Sequence, residues 1–187
     1  MKLKSFLFLF AISLLFFSRT SASYDISVIQ QNWLGWTNEV RENAWVKNLI
    51  VNENLNSTAL SWSEYSKTKW HIDHKRPWQK AYYDFKKITN WFSSKWVSFK
   101  KVKANTFSES IGWNNYRCTK EDCTQDISKA VYKTFEMYMR EKGKKYKPHY
   151  NSIMNPLFSQ IWVGITLDES KRKYYITVHY WTEVMKK

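Results

Sequence analysis

Four polar side chains, two glutamates and two histidines, have the chemistry to bind protons, cations or metal ions. Glu136 falls among Tyr132, Phe135 and Met139 on one stripe of a predicted helix. A carboxylate on an apolar face is costly to bury unless it meets a cation, a hydrogen-bond donor or a metal. At the edge of the stripe Glu136 would instead reach water, so this residue alone does not define a site.

Glu109 presents the same problem in the segment NTFSESIGW, where it lies between Phe107 and Ile111 on one face of a predicted extended segment. His74 follows a predicted helix in WHIDHKRP, and His149 precedes a loop that leads into a predicted core strand. Each residue taken alone is compatible with a structural or exposed role. Together they are two of the chain's four histidines and two glutamates, spread over all its major predicted elements.

The elements that must position these residues begin with two predicted helices. The stripe of the first consists of Ile29, Trp33, Trp36 and Val40. The stripe of the second, with Asn52 or Asn54 placed as a cap, consists of Leu55, Ala59, Trp62, Ser66 and Trp70. Spacings of three and four residues predict amphipathic helices. Pro77 then breaks the chain, and residues 82–92 predict a third, shorter helix.

The second half of the chain combines one helix with strands. Residues 97–111 have extended character, and a helix that opens at Asp126 or Ser128 is predicted to run to Lys142, with Gly143 as its stop. Apolar residues alternate over 161–167 and again over 174–180, on either side of a polar turn. This alternation predicts a β-hairpin. Several helices with a short, largely antiparallel sheet predict an α+β layered domain.

The first 22 residues have the pattern of an export signal. Lys2 and Lys4 give a positive start, Phe6–Phe17 is an uncharged and mostly apolar run, and small residues precede a cleavage point after Ala22. A membrane anchor is the alternative, but this run is shorter than the roughly 20 residues of a spanning helix. We therefore predict a secreted protein with a signal peptide over residues 1–22 and one domain over residues 23–187.

Charge and cysteine content indicate the surroundings of the secreted form. The formal net charge is +14, and loss of Lys2, Lys4 and Arg19 would lower it to +11. Such a field favours anionic surroundings, namely wall polymers, acidic lipid headgroups or nucleic acid. Cys118 and Cys123 are separated by four residues, which in an exported protein predicts a small disulfide. Two thiols alone make a poor zinc site.

The order of these segments resembles the CAP superfamily of secreted SCP/PR-1-like domains, in its bacterial form, over about residues 30–181. The first and second helices are similar to the family's in WTNEVRENAW and LIVNENLNSTALSWSEYSK. The stretches with the predicted site residues are similar in HIDHKRP, FSESIGW and AVYKTFEMYM. HYNSIMNPLFSQIWVGI resembles the bacterial pattern most closely, although Trp162 stands where a glycine is frequent.

The resemblance implies a three-layer α-β-α sandwich with an open cleft. It maps a His-Glu-Glu-His tetrad onto His74, Glu109, Glu136 and His149. In the family two of the histidine nitrogens can bind a divalent metal, often zinc, with the glutamates close by. Neutral imidazoles are good zinc donors, and carboxylates can orient a ligand histidine or hold a metal-bound water.

The expected function is that of a secreted, monomeric domain that binds a small apolar or glycan-type ligand at the cell surface through this cleft. One alternative is a metal-dependent, peptidase-like hydrolase that uses the same tetrad, because bound zinc lowers the pKa of its water. No Ser-His or Cys-His nucleophile pairing is visible in the sequence, which favours binding. A second alternative is a cationic surface adhesin that binds wall polymer or, less favoured, nucleic acid through its charge and exposed aromatic rings.

Overall fold

A four-stranded sheet is the centre of the fold. The structure, a computed structural model, describes residues 22–77, 85–99, 106–182 and 184–186. The strands of the sheet, in the spatial order β1-β4-β5-β3, are β1 Ile50–Val51, β4 Gln160–Asp168, β5 Lys173–Trp181 and β3 Phe107–Asn115. β1 runs parallel to β4, and the other pairs are antiparallel. Two further strands, β2 Val97–Phe99 and β6 Val184–Lys186, pair with each other.

Helices cover the sheet on both faces. They are α1 Ile26–Glu42, α2 Asn56–Lys69, α3 Phe85–Ser94, α4 Thr124–Met139 and α5 Pro148–Met154, with short 3-10 helices at Glu53–Leu55 and Arg140–Gly143. α1 and α4 pack together on one face, and α2 packs across β4 and β5 on the other. The fold is therefore the predicted α+β, three-layer α-β-α sandwich. Because both faces are covered, the central strand β5 is buried along almost its whole length.

The predicted hairpin is confirmed as β4 and β5, with Ile165 opposite Ile176 in register. The first two predicted helices are confirmed as α1 and α2. Asp25 caps α1, where its side chain accepts hydrogen bonds from the backbone N–H groups of Ser27 and Val28. α2 is capped at its C-terminal end by Trp70, which has a left-handed backbone conformation.

Other predictions are confirmed in part. The third helix begins at Phe85 in the structure, and residues 82–84 lie outside the described part of the chain. The predicted extended segment 97–111 contains β2 and the start of β3, with residues 100–105 outside the description. The signal peptide likewise lies outside it, except for Ala22. The predicted disulfide is confirmed, with the Cys118 and Cys123 sulfurs bonded at 2.00 Å.

Arg41, at the end of α1, holds the segment that carries the predicted site histidine in place. Its buried guanidinium donates hydrogen bonds to the backbone carbonyls of Lys47, Ile153, Asn155 and Phe158. Carbonyl oxygens can satisfy a buried cation when several converge on it. The side chain therefore ties the end of α5 and the loop before β4 to α1.

Candidate functional site

A buried carboxylate organises one side of the site. Glu109, on β3, accepts four hydrogen bonds from three side chains. Its Oε1 accepts from His74 Nδ1 at 2.9 Å and from Arg76 Nη1 at 2.8 Å. Its Oε2 accepts from Arg76 Nη2 at 2.6 Å and from His179 Nε2 at 2.8 Å. Both carboxylate oxygens are thus engaged, which fixes the rotamer of Glu109.

Burial and charge set the protonation states of this cluster. Burial by itself raises the pKa of Glu109, but the adjacent Arg76 guanidinium and the hydrogen bonds from His179 and His74 outweigh it and hold that pKa well below its usual range. Burial lowers the pKa of His179, although its hydrogen bond to Glu109 opposes this effect. An anionic Glu109 and a neutral His179 follow. His179 then donates from Nε2 to Glu109, and its Nδ1 lies 3.0 Å from the Thr58 hydroxyl.

Arg76 is held by aromatic rings as well as by Glu109. The central carbon of its guanidinium lies 3.9 Å from the ring centroid of Trp62 on α2 and 4.6 Å from that of Trp91 on α3. The side chain is fully buried. A desolvated cation over aromatic faces gains cation–π stabilisation, so two helices and one strand converge on this ion pair.

His149 is held on the other side of the site by Glu141. Glu141 Oε1 accepts from His149 Nδ1 at 2.7 Å, and Oε2 accepts from the backbone N–H groups of His149 and Tyr150 at 2.9 and 3.2 Å. The ring of Tyr138 stacks on the imidazole, with centroids 4.1 Å apart and planes 5° from parallel. Burial raises the pKa of Tyr138 well above its usual range, so its hydroxyl stays protonated and donates to the Ile111 carbonyl.

Both histidines line one cavity of about 380 Å³. Its lining consists of His71, Ile72, Asp73, His74, Ile111 and His149. In each of His74 and His149, Nδ1 faces a carboxylate oxygen, which only accepts, so the neutral form of each ring has its proton at Nδ1 and its lone pair at Nε2. The structure thus brings the two predicted histidines to a common space with the tautomer that suits metal or ligand binding.

The cavity offers two imidazoles and, among the described residues, no larger group of metal ligands. Among the described residues, no three His, Cys, Asp or Glu side chains lie close enough together to hold a metal ion. Glu109 accepts from two imidazoles and a guanidinium, and Glu141 accepts from one imidazole and two backbone N–H groups. Their place is behind the histidines, where a carboxylate orients the ring and raises the basicity of the outer nitrogen.

The structure does not bring Glu136 to His149. The carboxylate that accepts a hydrogen bond from His149 is that of Glu141. The Glu136 side chain is 40% exposed and lies 4.0 Å from Arg140, one turn further along the chain. The buried face of α4 contains Ile127, Val131, Thr134 and Tyr138. An α-helix has 3.6 residues per turn, so Glu136, two residues before Tyr138, points roughly to the opposite side.

Two members of the cluster, Arg76 and His179, were not singled out from the sequence. Arg76 stands in the basic stretch HKRP, which reads as surface, and His179 stands in the apolar strand segment ITVHYW. The position of Glu109 in the sequence nevertheless indicates that such partners exist. A carboxylate between two apolar residues of a buried strand requires a cation or donors nearby, and an isolated histidine in a core strand is one such donor.

The placement of α4 gives a prediction about stability. We expect Glu136→Gln to change the free energy of unfolding by less than about 0.5 kcal/mol, because an exposed i,i+4 ion pair contributes little. Phe135→Ala should cost about 3–5 kcal/mol, because that ring is buried against Trp33. Urea denaturation of both variants measures the difference. Equal losses would contradict the exposed position of Glu136.

Comparison with known proteins agrees with this architecture. Residues 34–181 match CAP, the cysteine-rich secretory protein family. The chain therefore belongs to this family, and the resemblance in its motifs is confirmed. A comparison with curated proteins gives no match.

Solved structures with this fold come from several bacteria. An extracellular SCP-domain protein of Bacillus anthracis is 16% identical at a TM-score of 0.55, with 84% of this chain and 41% of that one covered. An outer surface protein of Borrelia burgdorferi is 10% identical at a TM-score of 0.56, with 87% of this chain and 96% of that one covered. The CAP domain of enterococcal PrgA is 12% identical at a TM-score of 0.58, with 88% of this chain and 67% of that one covered.

These structural similarities show the fold. The chain spans less than half of the length of the Bacillus anthracis protein. Among the described residues, no helix has the length and apolar character to cross a bilayer.

Proposed function

We propose that this CAP domain is an exported binding module whose two-histidine cavity takes a divalent metal ion, zinc first, together with a small glycan-type ligand. The observation that carries the proposal is that His74 and His149 line one cavity while each donates Nδ1–H to a carboxylate. His74 Nε2 and His149 Nε2 would hold the metal. A bound cation would supply a Lewis-acidic centre for a ligand oxygen.

Because the protein supplies only two histidine nitrogens as metal ligands, we expect a modest affinity and a readily exchanged metal. Structural zinc sites have four protein ligands and catalytic sites commonly three. With two imidazoles bound, the remaining coordination positions of the metal would be occupied by water or by the ligand. Ile72 and Ile111 offer apolar surface in the same cavity, and Asp73 offers a carboxylate. A small sugar, with apolar faces and many hydroxyls, suits such a lining.

The state of the two glutamates favours binding over hydrolysis. A hydrolase needs a base that can accept a proton from water. Glu109 accepts four hydrogen bonds, and Glu141 accepts three. Both carboxylates are therefore committed to positioning His74 and His149. Peptidase activity that depends on zinc would instead support the hydrolase alternative.

Export is the second part of this proposal. It is supported by the predicted signal peptide over residues 1–22, by the disulfide between Cys118 and Cys123, and by the extracellular and surface origin of the similar structures. Disulfides persist in oxidising compartments outside the cytosol.

Zinc should stabilise the protein through the two histidines. At a zinc concentration about 100 times the dissociation constant, a ligand that binds only the folded state adds about 2.7 kcal/mol. For a domain of this size that corresponds to roughly 5–10 °C in the unfolding temperature. His74→Ala or His149→Ala should each remove most of the shift, and the double variant should add little because the two residues form one site. Thermal unfolding with and without zinc measures this.

Matched variants and pH sharpen the zinc experiment. Glu141→Gln should weaken zinc binding about 10-fold or more, because it removes the carboxylate behind a ligand histidine. Glu136→Gln is the control and should leave the shift unchanged. The shift should weaken on acidification, since protons compete with the metal for histidine nitrogens. A zinc shift that survives the loss of both histidines would contradict the site.

A further inference from the structure

Two exposed tryptophan rings each carry a lysine ammonium group over their face. Lys171 Nζ lies 3.5 Å from the ring centroid of Trp70, and Lys173 Nζ lies 3.9 Å from that of Trp113. Trp70 is 69% exposed and Trp113 is 43% exposed. We refer to these four residues as the Trp–Lys surface. None of them belongs to the histidine cavity.

The four residues lie on one side of the sheet. Trp113 on β3 is opposite Tyr175 on β5, and Tyr175 is opposite Thr166 on β4. The Thr166 hydroxyl is 2.9 Å from that of Ser63 on α2, the helix that Trp70 caps at its C-terminal end. Lys171 and Lys173 come from the turn and the first residue of β5 in the β4–β5 hairpin. The surface therefore combines the end of α2 with the hairpin end of the sheet.

The charge of this region is positive. Lys67 and Lys171 both act on the carboxylate of Asp168, which lies 3.6 Å from Lys171 Nζ and opposite Lys173 in register. Across Lys67 and residues 168–173, four basic side chains (Lys67, Lys171, Arg172 and Lys173) outnumber two carboxylates (Asp168 and Glu169), a formal net charge of +2. An anionic ligand would find an excess of positive charge here, in a protein that is itself strongly basic.

We propose that the Trp–Lys surface binds an anionic polysaccharide, a chain of uronic-acid or similarly charged sugars. The tryptophan rings would stack on the apolar faces of the sugars, and the lysines would pair with the acid groups. Because each ammonium group already rests on a ring, the flexible lysine stem is partly ordered before the ligand arrives, which lowers the entropy lost on binding. This inference goes beyond the proposed function and does not rest on the histidine cavity.

A polysaccharide fits the observations better than a lipid bilayer. Insertion of Trp70 and Trp113 into an acyl layer would carry Lys171 and Lys173 with them or strip them from the rings, and a charged group is costly to bury in hydrocarbon. A hydrated polymer lets the rings and the ammonium groups act together. With a polysaccharide the two lysines stay hydrated and pair with acid groups, whereas insertion into a bilayer would bury them or separate them from the rings.

Binding to polygalacturonate, measured by titration calorimetry at low salt, tests the proposal. Trp70→Ala and Trp113→Ala should each weaken binding by about 10-fold, the effect of losing one aromatic anchor of an interface. Trp45→Ala and Trp96→Ala are the matched controls. Both side chains are exposed, at 98% and 75%, and Trp45, Trp70 and Trp96 share the left-handed backbone conformation. These controls should bind like the wild type.

The dependence of polymer affinity on salt concentration distinguishes the role of the lysines from that of the tryptophan rings. The Lys171→Gln/Lys173→Gln variant should show a smaller loss of affinity with rising salt, because fewer charges are neutralised on binding. The tryptophan variants should keep the wild-type salt dependence. His74→Ala/His149→Ala should bind the polymer normally, so a failure of the zinc site and a failure of this surface are distinguishable.

Three further probes complete the experiment. Dextran, a neutral polymer, should bind at least about 10-fold more weakly than polygalacturonate. Vesicles of phosphatidylglycerol and single-stranded DNA should bind without dependence on the two tryptophans, through net charge alone. Equal binding of all anions with no loss in Trp70→Ala and Trp113→Ala would overturn the proposal. So would binding to vesicles or DNA that requires these rings while polygalacturonate does not bind.

Discussion

Gly164→Ala is expected to destabilise this protein by about 3 kcal/mol or more, the largest effect we predict for the addition of one methyl group. Gly164 lies on β4 directly beneath α2. A Cβ atom there would lie 2.3 Å from the Ala59 carbonyl carbon and 2.4 Å from the Leu60 nitrogen. These are backbone atoms, so no side-chain rotation relieves the overlap, and α2 must move away from the sheet.

The same change would disturb the site, because Thr58 precedes Ala59 on α2 and contacts His179. Gly35→Ala is the matched control. Apart from its chain neighbours and the nearby backbone of α1, no atom of the described residues lies within 4 Å of a Cβ built on Gly35, in the middle of α1. Alanine should therefore stabilise α1 there by about 0.5–1 kcal/mol. Urea denaturation compares the two, and a Gly164→Ala protein as stable as the wild type would contradict the close packing of α2 on β4.

Arg76→Met is expected to cost about 3–5 kcal/mol, because it leaves the Glu109 carboxylate buried without its cation. The methionine keeps much of the apolar volume between Trp62 and Trp91, so the loss reports mainly on charge. Arg140→Met is the matched control. It breaks the exposed contact with Glu136 and should change the free energy of unfolding by less than about 0.5 kcal/mol.

A double-mutant cycle separates the ion pair from general damage at this position. Glu109→Gln alone removes the carboxylate charge that pairs with both Arg76 Nη atoms and should also be strongly destabilising. Arg76→Met combined with Glu109→Gln should cost clearly less than the two single losses added together, because no buried charge then remains in the pair. Additive losses would show that Arg76 and Glu109 do not act as a pair.

The regular elements were predictable because their buried faces repeat at simple spacings. Ile29 and Trp33 mark the buried stripe of α1, and both are fully buried. In the hairpin, alternation identified Ile176 and Val178 as core residues. It could not show that Thr177 and His179 are equally buried, since α2 covers the other face of the sheet.

The site was predictable only as far as local pattern reaches. Glu109 stood out because its neighbours on the same strand face are apolar, and His74 is its partner in the structure. Glu141 gave no such signal. α4 ends at Met139, and the chain continues through the tighter 3-10 turn Arg140–Gly143, so helical spacing no longer tells where a side chain points. Its contact with His149 is made by the tertiary return of α5.

Two-bond ¹H–¹⁵N NMR spectra of the histidine rings, recorded during a zinc titration at neutral pH, test the two-histidine site most directly. We expect the Nε2 resonances of His74 and His149 to shift together and to saturate at one zinc per chain, while their Nδ1 atoms stay protonated. His179 should keep its spectrum, because Glu109 and Thr58 occupy both of its nitrogens. A zinc response confined to one of the two histidines, or saturation of the two at different zinc concentrations, would contradict a shared metal site.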